Sequence, residues 1–318
     1  MTDNTRTESE SDFDWFKQNG IFMPMINDTG RNIAYKNAIE QAVPGKVVCD
    51  IGTGTGFLSI LAAKAGATKV YSVEMDPGRA QFARKIIEQV GLSDKIEVIN
   101  KNFYDTDITA DVYISETIGS QLFNEYTIDI AKHALRNGGV YLPGNFDIWL
   151  EVYEDHPIFP LVMSGSAAFE FQPDISIDPV FEKLINQGFQ AQHPLEETVY
   201  RATTINNLFT MLPRFTDLKL NKLYQTDPIN IDLNRQPVDD TNIRLTVPAN
   251  AIRYPFKMNT VVVVLFWKAN MFGDVTMDVK DTWWGNPAKV ILPQVRKNID
   301  TDIEMWYDPA ITDWRLKY

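Results

Sequence analysis

An alternation of short apolar runs and helical periods between residues 46 and 143 constrains the fold more than any other feature of the sequence. The runs typical of strands are KVVCDI, KVYSVEMD, KIEVIN and ADVYISE. The segments FLSILAAKAG, PGRAQFARKIIEQVG and TIDIAKHALRNGG have the apolar spacing of helices. Apolar strands joined by crossover helices predict a parallel sheet covered on both faces, with ligands at the carboxyl ends of its strands.

The sequence pattern changes after Pro143 and Gly144. Alternating apolar and polar residues in FDIWLEVYE, LKLNKLY, NIRLTVPA, TVVVVLFWKA and TDIEMWY predict an antiparallel β region, with a helical insertion at about 178–213. We therefore expect an N-terminal helical segment (1–45), a Rossmann-like α/β domain (46–143) and a β domain (144–318).

Composition excludes several classes of function. The apolar content of 44% in 318 residues supports a substantial core. The net charge of −12 argues against binding to a nucleic-acid backbone. One cysteine, Cys49, and three histidines predict neither a disulfide framework nor a metal site. The acidic, polar N-terminus and the absence of an apolar run of about eighteen residues predict a cytoplasmic protein without a membrane partner.

The loop DIGTGTG joins the first predicted strand to the first predicted helix, and its glycines allow a close approach to a ligand. In a dinucleotide site the pyrophosphate lies at this helix N-terminus, where the carboxylate of Asp50 would repel it. S-adenosylmethionine (SAM) has no phosphate, and its sulfonium and ammonium groups favour a nearby acid. Glu74, at the end of the second strand, suits the two ribose hydroxyls. The loop therefore favours SAM over a nicotinamide cofactor.

Several ordered motifs resemble the protein arginine methyltransferase family. DIGTGTGFLS resembles its SAM loop, YSVEMD its ribose-binding strand end, and SETIGSQLFNE its double-glutamate loop. SDFDWFKQNGIF, MINDTGRNIAYKNAI and GGVYLPG are similar to flanking segments of that family, and TWW lies where the family has Thr-His-Trp. The resemblance implies a SAM-dependent domain followed by a β-barrel that carries a helical dimerisation arm.

The resemblance also implies roles for individual residues. Arg31 would pair with the cofactor carboxylate, and Glu74 would hold the ribose. Phe13 would cover the adenine, while Met25 would border the methyl-transfer channel. The methionine and ribose portions of SAM would be lined by Asp50, Gly52, Gly54 and Gly56.

Glu116 and Glu125 bracket the double-glutamate loop and are the candidate catalytic residues. A guanidinium is planar and remains charged, so two carboxylates are its natural clamp. The clamp would localise charge on the nitrogens that it holds, and one acid could accept the proton as the methyl group arrives. Taken alone, the spacing favours Glu125 as an acid at a helix N-terminus. Together with the SAM loop and Arg31, it favours the clamp.

Three positions depart from the family pattern. Phe16 stands where the family has a tyrosine near the substrate. Trp283 replaces the histidine of the Thr-His-Trp loop, although Trp284 is retained, and both would border the substrate. Tyr104 lies close to the position of the acid that recognises adenine, and the neighbouring Asp105 could serve instead.

Three functions remain open at this stage. The first is methylation of an arginine guanidinium in a protein, a peptide or free arginine. The second is SAM-dependent methylation of another small molecule, and the third is an inactive scaffold, against which both glutamates and the intact SAM loop argue. The insertion at 178–213 could form a homodimer or pack within one chain.

Overall fold

The computed structural model describes the chain in several stretches, namely residues 25–26, 28–119, 122–154, 220–235, 237–252, 261–282, 289–291 and 302–317. The helices in these stretches are α1 (Thr29–Ala42), α2 (Phe57–Lys64), α3 (Pro77–Gln89) and α4 (Thr127–Ala134). Short 3-10 turns occupy Phe103–Asp105, Leu135–Asn137, Ala249–Ala251 and Val279–Asp281. Within the described ranges, no helix has the length and apolarity needed to cross a membrane.

The first half of the chain forms a parallel sheet with helices between its strands. Its strands are β1 (Val47–Ile51), β2 (Lys69–Val73), β3 (Ile96–Ile99), β4 (Val112–Ser115) and β5 (Val140–Leu142). Their order is β3-β2-β1-β4-β5, and every neighbouring pair is parallel. The predicted Rossmann-like sheet is confirmed. Since β1 is central, its carboxyl end is flanked by those of β2 and β4.

The described part of the second half is built from antiparallel strands, as predicted. These are β6 (Asn145–Glu154), β7 (Lys222–Gln225), β8 (Ile229–Asp232), β9 (Arg244–Val247), β10 (Val261–Phe272), β11 (Val275–Asp278), β12 (Lys289–Ile291), β13 (Ile303–Asp308) and β14 (Asp313–Lys317). One sheet has the order β11-β10-β6-β7, with β12 on β10 and β8 on β6, and a second has the order β14-β13-β9. Closure into a barrel remains a prediction, and the insertion at 178–213 lies outside the described residues.

Local sequence explains where the helices of the first half begin. Asp76 caps α3 by accepting a hydrogen bond from the Arg79 backbone N–H, and Pro77 occupies the first turn, where a missing N–H costs nothing. The apolar spacing predicts that Ala83, Ile86, Ile87 and Val90 share one face; the first three are buried, and Val90, at the C-cap, is partly buried against the same core. Such an amphipathic face draws most of its stability from packing on the sheet.

Helix α1 links the parallel sheet to the antiparallel region. Asp28 caps it by accepting from the Arg31 N–H at 3.1 Å, and its buried face includes Tyr35, Ala38 and Ile39. Near its start, Gly30 approaches the backbone of Asp281 so closely that an added Cβ would overlap the Asp281 carbonyl oxygen. Glycine is therefore needed where the helix meets the turn after β11.

We expect Gly30→Ala to lower the free energy of unfolding by about 1–3 kcal/mol, the usual cost of overpacking. Helix propensity alone would favour alanine by about 1 kcal/mol, so the sign of the change separates the two effects. The measurement is urea unfolding, with Asn37→Ala on the exposed face of the same helix as control. An increase in stability for Gly30→Ala would contradict the close contact.

Candidate active site

The candidate site lies at the carboxyl edge of the parallel sheet. Ile51 of β1 pairs with Val73 of β2 on one side and Ser115 of β4 on the other. Glu74 and Glu116 each follow their strand directly, so their backbones stand level on either side of the glycine loop. With neighbouring strands about 4.8 Å apart, they are separated by about 10 Å. This register brings together acids that are distant in the sequence.

The glycine loop turns through backbone conformations that side chains rarely adopt. Gly52, Gly54 and Gly56 have φ values of +73°, +56° and +82°. The Gly54 N–H donates to Glu74 Oε2 at 3.0 Å, and the Asp76 N–H donates to Glu74 Oε1 at 2.9 Å. The buried Glu74 carboxylate therefore ties the loop to the end of β2.

Asp50 lies beneath the loop in a cluster of hydroxyl groups. Its Oδ2 accepts from Thr53 at 2.6 Å and from Ser59 at 2.7 Å, and Ser59 also donates to Ser72. Its Oδ1 is buried and has no hydrogen-bond partner among the described residues. Burial raises the pKa of the Asp50 carboxyl, while the Ser59 and Thr53 hydrogen bonds lower it. The unpartnered oxygen suits a cationic or N–H ligand.

Arg31 reaches from α1 to the first acid of the double-glutamate loop. Its Nη2 forms an ion pair with Glu116 Oε2 at 2.9 Å, with both side chains almost fully buried. Its Nη1 donates to the carbonyl of Met25 at 3.1 Å and to Asn32 Oδ1 at 2.9 Å. The buried Nε has no acceptor within the described part of the chain. Arg31 thus fixes the position of one carboxylate oxygen of Glu116.

The two glutamates differ in their surroundings. Burial raises the pKa of Glu116 to about 7, although the adjacent Arg31 guanidinium lowers it and the charge of Glu125 raises it further. Glu125 is exposed, and partial desolvation of its carboxyl raises its pKa. Thr127, two residues after Glu125, hydrogen-bonds to Thr117, which follows Glu116, so we expect the two carboxyl groups to lie near each other, as a clamp requires.

Local hydrogen bonds join the described residues between the two glutamates, which are 117–119 and 122–124, to each other and to α4. The Thr127 hydroxyl donates to the carbonyl of Thr117 at 2.5 Å, and the backbone N–H of Leu122 donates to the carbonyl of Gly119 at 2.9 Å. Leu122 and Tyr126 both have a φ of 62°, a left-handed conformation uncommon for such residues. Glu125 lies between them, directly before α4.

Of the other site residues inferred from the sequence, the structure describes Met25 and Tyr104. Met25 is half-buried, and its carbonyl accepts a hydrogen bond from Arg31 Nη1. Tyr104 is 43% exposed, and its ring makes an edge contact with His133 at 4.9 Å. Burial, together with the charge of Asp129, raises the pKa of Tyr104 to about 12. The remaining candidates lie outside the described residues: Phe13, Phe16, Trp283 and Trp284.

Sequence reasoning missed several residues that position the site. The Tyr35 hydroxyl donates to the carbonyl of Ser115, immediately before Glu116, at 2.9 Å, and the guanidinium carbon of Arg31 lies 5.5 Å from its ring centroid. Thr53 and Ser59 orient Asp50. A polar serine on the first turn of an apolar helix was the available signal for Ser59, whereas nothing local marked Tyr35.

The residues at this edge fit SAM by their chemistry. Arg31 offers a cation to a carboxylate, Glu74 offers acceptors to hydroxyl groups, and Asp50 offers an unpartnered buried oxygen. In the described part of the chain, His, Cys, Asp and Glu side chains form no group of three suited to a metal ion.

The sheet order, the glycine loop and the flanking acids define the class of the protein as a Rossmann-like methyltransferase fold followed by an antiparallel β region. Residues 35–145 match the family model for ribosomal protein L11 methyltransferase (PrmA). A crystal structure of PRMT6-SAH superposes with a TM-score of 0.60 at 18% identity, covering 94% of this chain and 98% of that one.

Two curated relatives match parts of the chain. The chain is 36% identical over 165 residues to protein arginine N-methyltransferase 1.1 of Arabidopsis thaliana, covering 49% of this chain and 42% of the relative. It is 39% identical over 130 residues to the arginine N(omega)-methyltransferase of Streptomyces achromogenes subsp. streptozoticus, covering 37% of this chain and 36% of the relative. Both matches therefore span less than half of the relative.

A third alignment extends over nearly the whole length of both proteins. Protein arginine N-methyltransferase 1 of Saccharomyces cerevisiae is 28% identical over 334 residues, covering 96% of this chain and 90% of the relative. These comparisons confirm the resemblance inferred from the sequence motifs, and the chain is related to the protein arginine methyltransferases.

Proposed function

We propose that the protein is a SAM-dependent N-methyltransferase that acts on an arginine guanidinium. The observation that carries the proposal is the fold of the segment that bears Glu116 and Glu125: the hydrogen bond from Thr127 to Thr117 joins its two ends, and Glu116 follows a strand end level with the start of the glycine loop. The names of the curated relatives add support. The same residues would serve poorly in a dinucleotide enzyme, because acids surround the loop where a pyrophosphate would lie.

SAM would supply an activated methyl group on a sulfonium. In the proposed complex Glu74 accepts hydrogen bonds from the ribose, and Arg31 pairs with the cofactor carboxylate. Asp50 lies where a cationic group is favoured, and the positive-φ glycines keep side chains out of the way. Arg31 would thus contact both the cofactor and Glu116, so cofactor binding and acceptor orientation share one residue.

The two glutamates would hold the acceptor guanidinium in line with the methyl group. Alignment is the main task in such a displacement, since well-oriented reactants gain several orders of magnitude in rate. Carboxylates bound to two of the guanidinium nitrogens concentrate positive charge there and leave the third more nucleophilic. As the new N–C bond forms and the S–C bond breaks, the methylated nitrogen loses a proton, for which the carboxylate of the clamp is the acceptor.

The proposed acceptor is an arginine in a protein or peptide, or free arginine; one relative is named a protein arginine N-methyltransferase and another an arginine N(omega)-methyltransferase. Methylation of another small molecule is the alternative. An inactive scaffold would have no need for both glutamates together with an intact glycine loop. Assembly as a homodimer through residues 178–213 and a cytoplasmic location are further predictions of the sequence.

The test uses SAM labelled in its methyl group. The protein is incubated with free arginine, with an arginine-containing peptide, and with the same peptide carrying lysine in place of arginine, and the products are identified by mass. We expect label on guanidino nitrogens and none on the lysine peptide. Label found only on a non-guanidino acceptor supports the small-molecule alternative, and SAM binding without transfer to any acceptor supports the scaffold.

We expect a pH dependence set by Glu116. Only its ionised form can clamp a guanidinium, so kcat/KM for the acceptor should rise through a pKa of about 7 and fall about tenfold per pH unit below it. Glu116→Gln should remove this acid limb. A limb that persists in Glu116→Gln would assign the titration to another group.

The same pKa has a consequence for stability. Because the pKa of Glu116 is raised from the ordinary 4.5 to about 7, the folded state holds a proton that the unfolded state releases between these pH values. The contribution of Glu116 to stability therefore falls as pH rises through this window.

A further inference from the structure

Phe123, two residues before Glu125, lies in an aromatic cluster of the antiparallel region. It is fully buried, and its ring contacts Phe146 of β6 edge-on with the centroids 5.5 Å apart. It contacts Tyr307 of β13 edge-on at 5.8 Å and stacks on Trp314 of β14 at 6.4 Å. A side chain of the double-glutamate loop therefore joins both antiparallel sheets.

The two glutamates are held in different ways. Glu116 is oriented by its ion pair with Arg31. For the exposed Glu125, the described residues include no hydrogen-bond or ion-pair partner, so the backbone on either side must set the position of its carboxylate. That backbone contains the left-handed residues Leu122 and Tyr126, a conformation that persists only where surrounding packing enforces it.

We propose that Phe123 is a positioning residue for methyl transfer, through which the β13–β14 hairpin holds Glu125 opposite Glu116. The aromatic pairs add geometric preference to apolar burial, so the ring fixes the orientation of the loop as well as its depth. The inference rests on the proposed function, because the loop that Phe123 anchors carries Glu125 of the proposed clamp.

The effect of losing the anchor should fall on the acceptor side of the reaction. Glu74, Asp50 and Arg31 are held by contacts within the parallel sheet and α1, none of which involves Phe123. Cofactor affinity should therefore survive a change at Phe123, whereas the position of Glu125 should not. Displacement of Glu125 also removes its repulsion from Glu116, which lowers the pKa of Glu116.

The experiment compares Phe123→Leu with Phe272→Leu. Phe272 is a partly buried residue of β10 that lines a cavity with Lys46, Asp111 and Val112 at the opposite, amino-terminal edge of the parallel sheet. Both changes remove an aromatic ring, but only Phe123 belongs to the double-glutamate loop. The readouts are kcat and KM with the arginine-containing peptide, the SAM dissociation constant, the pH profile, and amide hydrogen exchange of residues 116–126.

For Phe123→Leu we expect kcat/KM to fall by about 10–10²-fold, the scale of a misplaced positioning group, with SAM affinity within about twofold of wild type. The acid limb should move to lower pH, and the loop should exchange faster. Phe272→Leu should leave all four unchanged. If Phe123→Leu does not fold, Trp314→Leu removes the stacking partner from the other side and should give the same pattern.

Two results would overturn the anchor: an unchanged pH profile with unchanged kinetics in Phe123→Leu, or an equal loss of SAM affinity and acceptor kinetics. A wild-type protein that methylates no guanidine would defeat the proposed function instead. Hydrogen exchange would still test the anchor in that case, because faster exchange of the loop in Phe123→Leu and not in Phe272→Leu does not depend on turnover.

Discussion

Glu116→Gln and Glu125→Gln are each expected to lower kcat/KM for the arginine acceptor by about 10²–10⁴-fold, the range for losing a positioned acid or base. Glutamine keeps the size of the side chain and removes the charge, so it weakens the charge-assisted bonds that orient a guanidinium. Steady-state transfer of labelled methyl to the peptide measures the effect. SAM affinity should change little in Glu125→Gln, because the proposed contacts with SAM are made by Asp50, Glu74 and Arg31.

The control is Glu88→Gln on the exposed face of α3, which should behave as wild type. The double variant should lose about as much as the worse single variant, because residues that act as a unit have non-additive effects. Wild-type rates in both single variants would reject the clamp. A large loss in Glu116→Gln alone would leave Glu125 as a helix N-terminal acid.

Glu74→Gln is expected to weaken SAM binding by about 10–10²-fold, since one charge-assisted hydrogen bond contributes about 1.5–3 kcal/mol. The amide group of glutamine has a single acceptor oxygen, whereas one oxygen of Glu74 accepts from Gly54 in the glycine loop and the other accepts from Asp76, the N-cap of α3. In Glu74→Gln, the backbone N–H groups and the ribose would therefore compete for the single side-chain oxygen. Calorimetric titration with SAM and with its demethylated product measures the change.

Glu97→Gln provides the matched control, because Glu97 lies on the adjacent strand β3, is exposed, and pairs with Lys69 at 3.0 Å. It should leave SAM affinity unchanged. If Glu74→Gln bound SAM as tightly as wild type, the ribose would have to be held by other groups. A loss of affinity in both variants would indicate a general charge effect on the cationic ligand.

Much of the fold could be predicted because its signals are local. The strands VVCDI and VYSV were predicted from their apolar runs and the helix FLSILAAK from its apolar spacing, and neither signal needs knowledge of distant residues. The glycines of the DIGTGTG loop were equally readable, and their positive φ values are those that such a turn demands. Strands β8, β11, β12 and β14 were missed because short antiparallel strands carry weak patterns.

The site could be predicted in part. Asp50, Glu74 and Glu116 follow from their positions within or directly after strands, and the parallel register places the last two at one edge. The ion pair of Arg31 with Glu116 was not predicted, because the sequence suggested a cofactor carboxylate as the partner of Arg31. Tyr35 and Phe123 gave no signal, since an aromatic residue in an apolar segment is read as core.

The sequence by itself determined the alternation of strands and helices in the first half of the chain, the glycine loop and the candidate acids, because each depends on neighbours within a few turns of the chain. Only the tertiary structure decided which distant groups meet. Tyr35 reaches Ser115 across 80 residues, and Phe123 packs on Trp314 of the last described strand. Such contacts depend on how sheets and helices pack, and burial beside Arg31 and Glu125 then sets the pKa of Glu116.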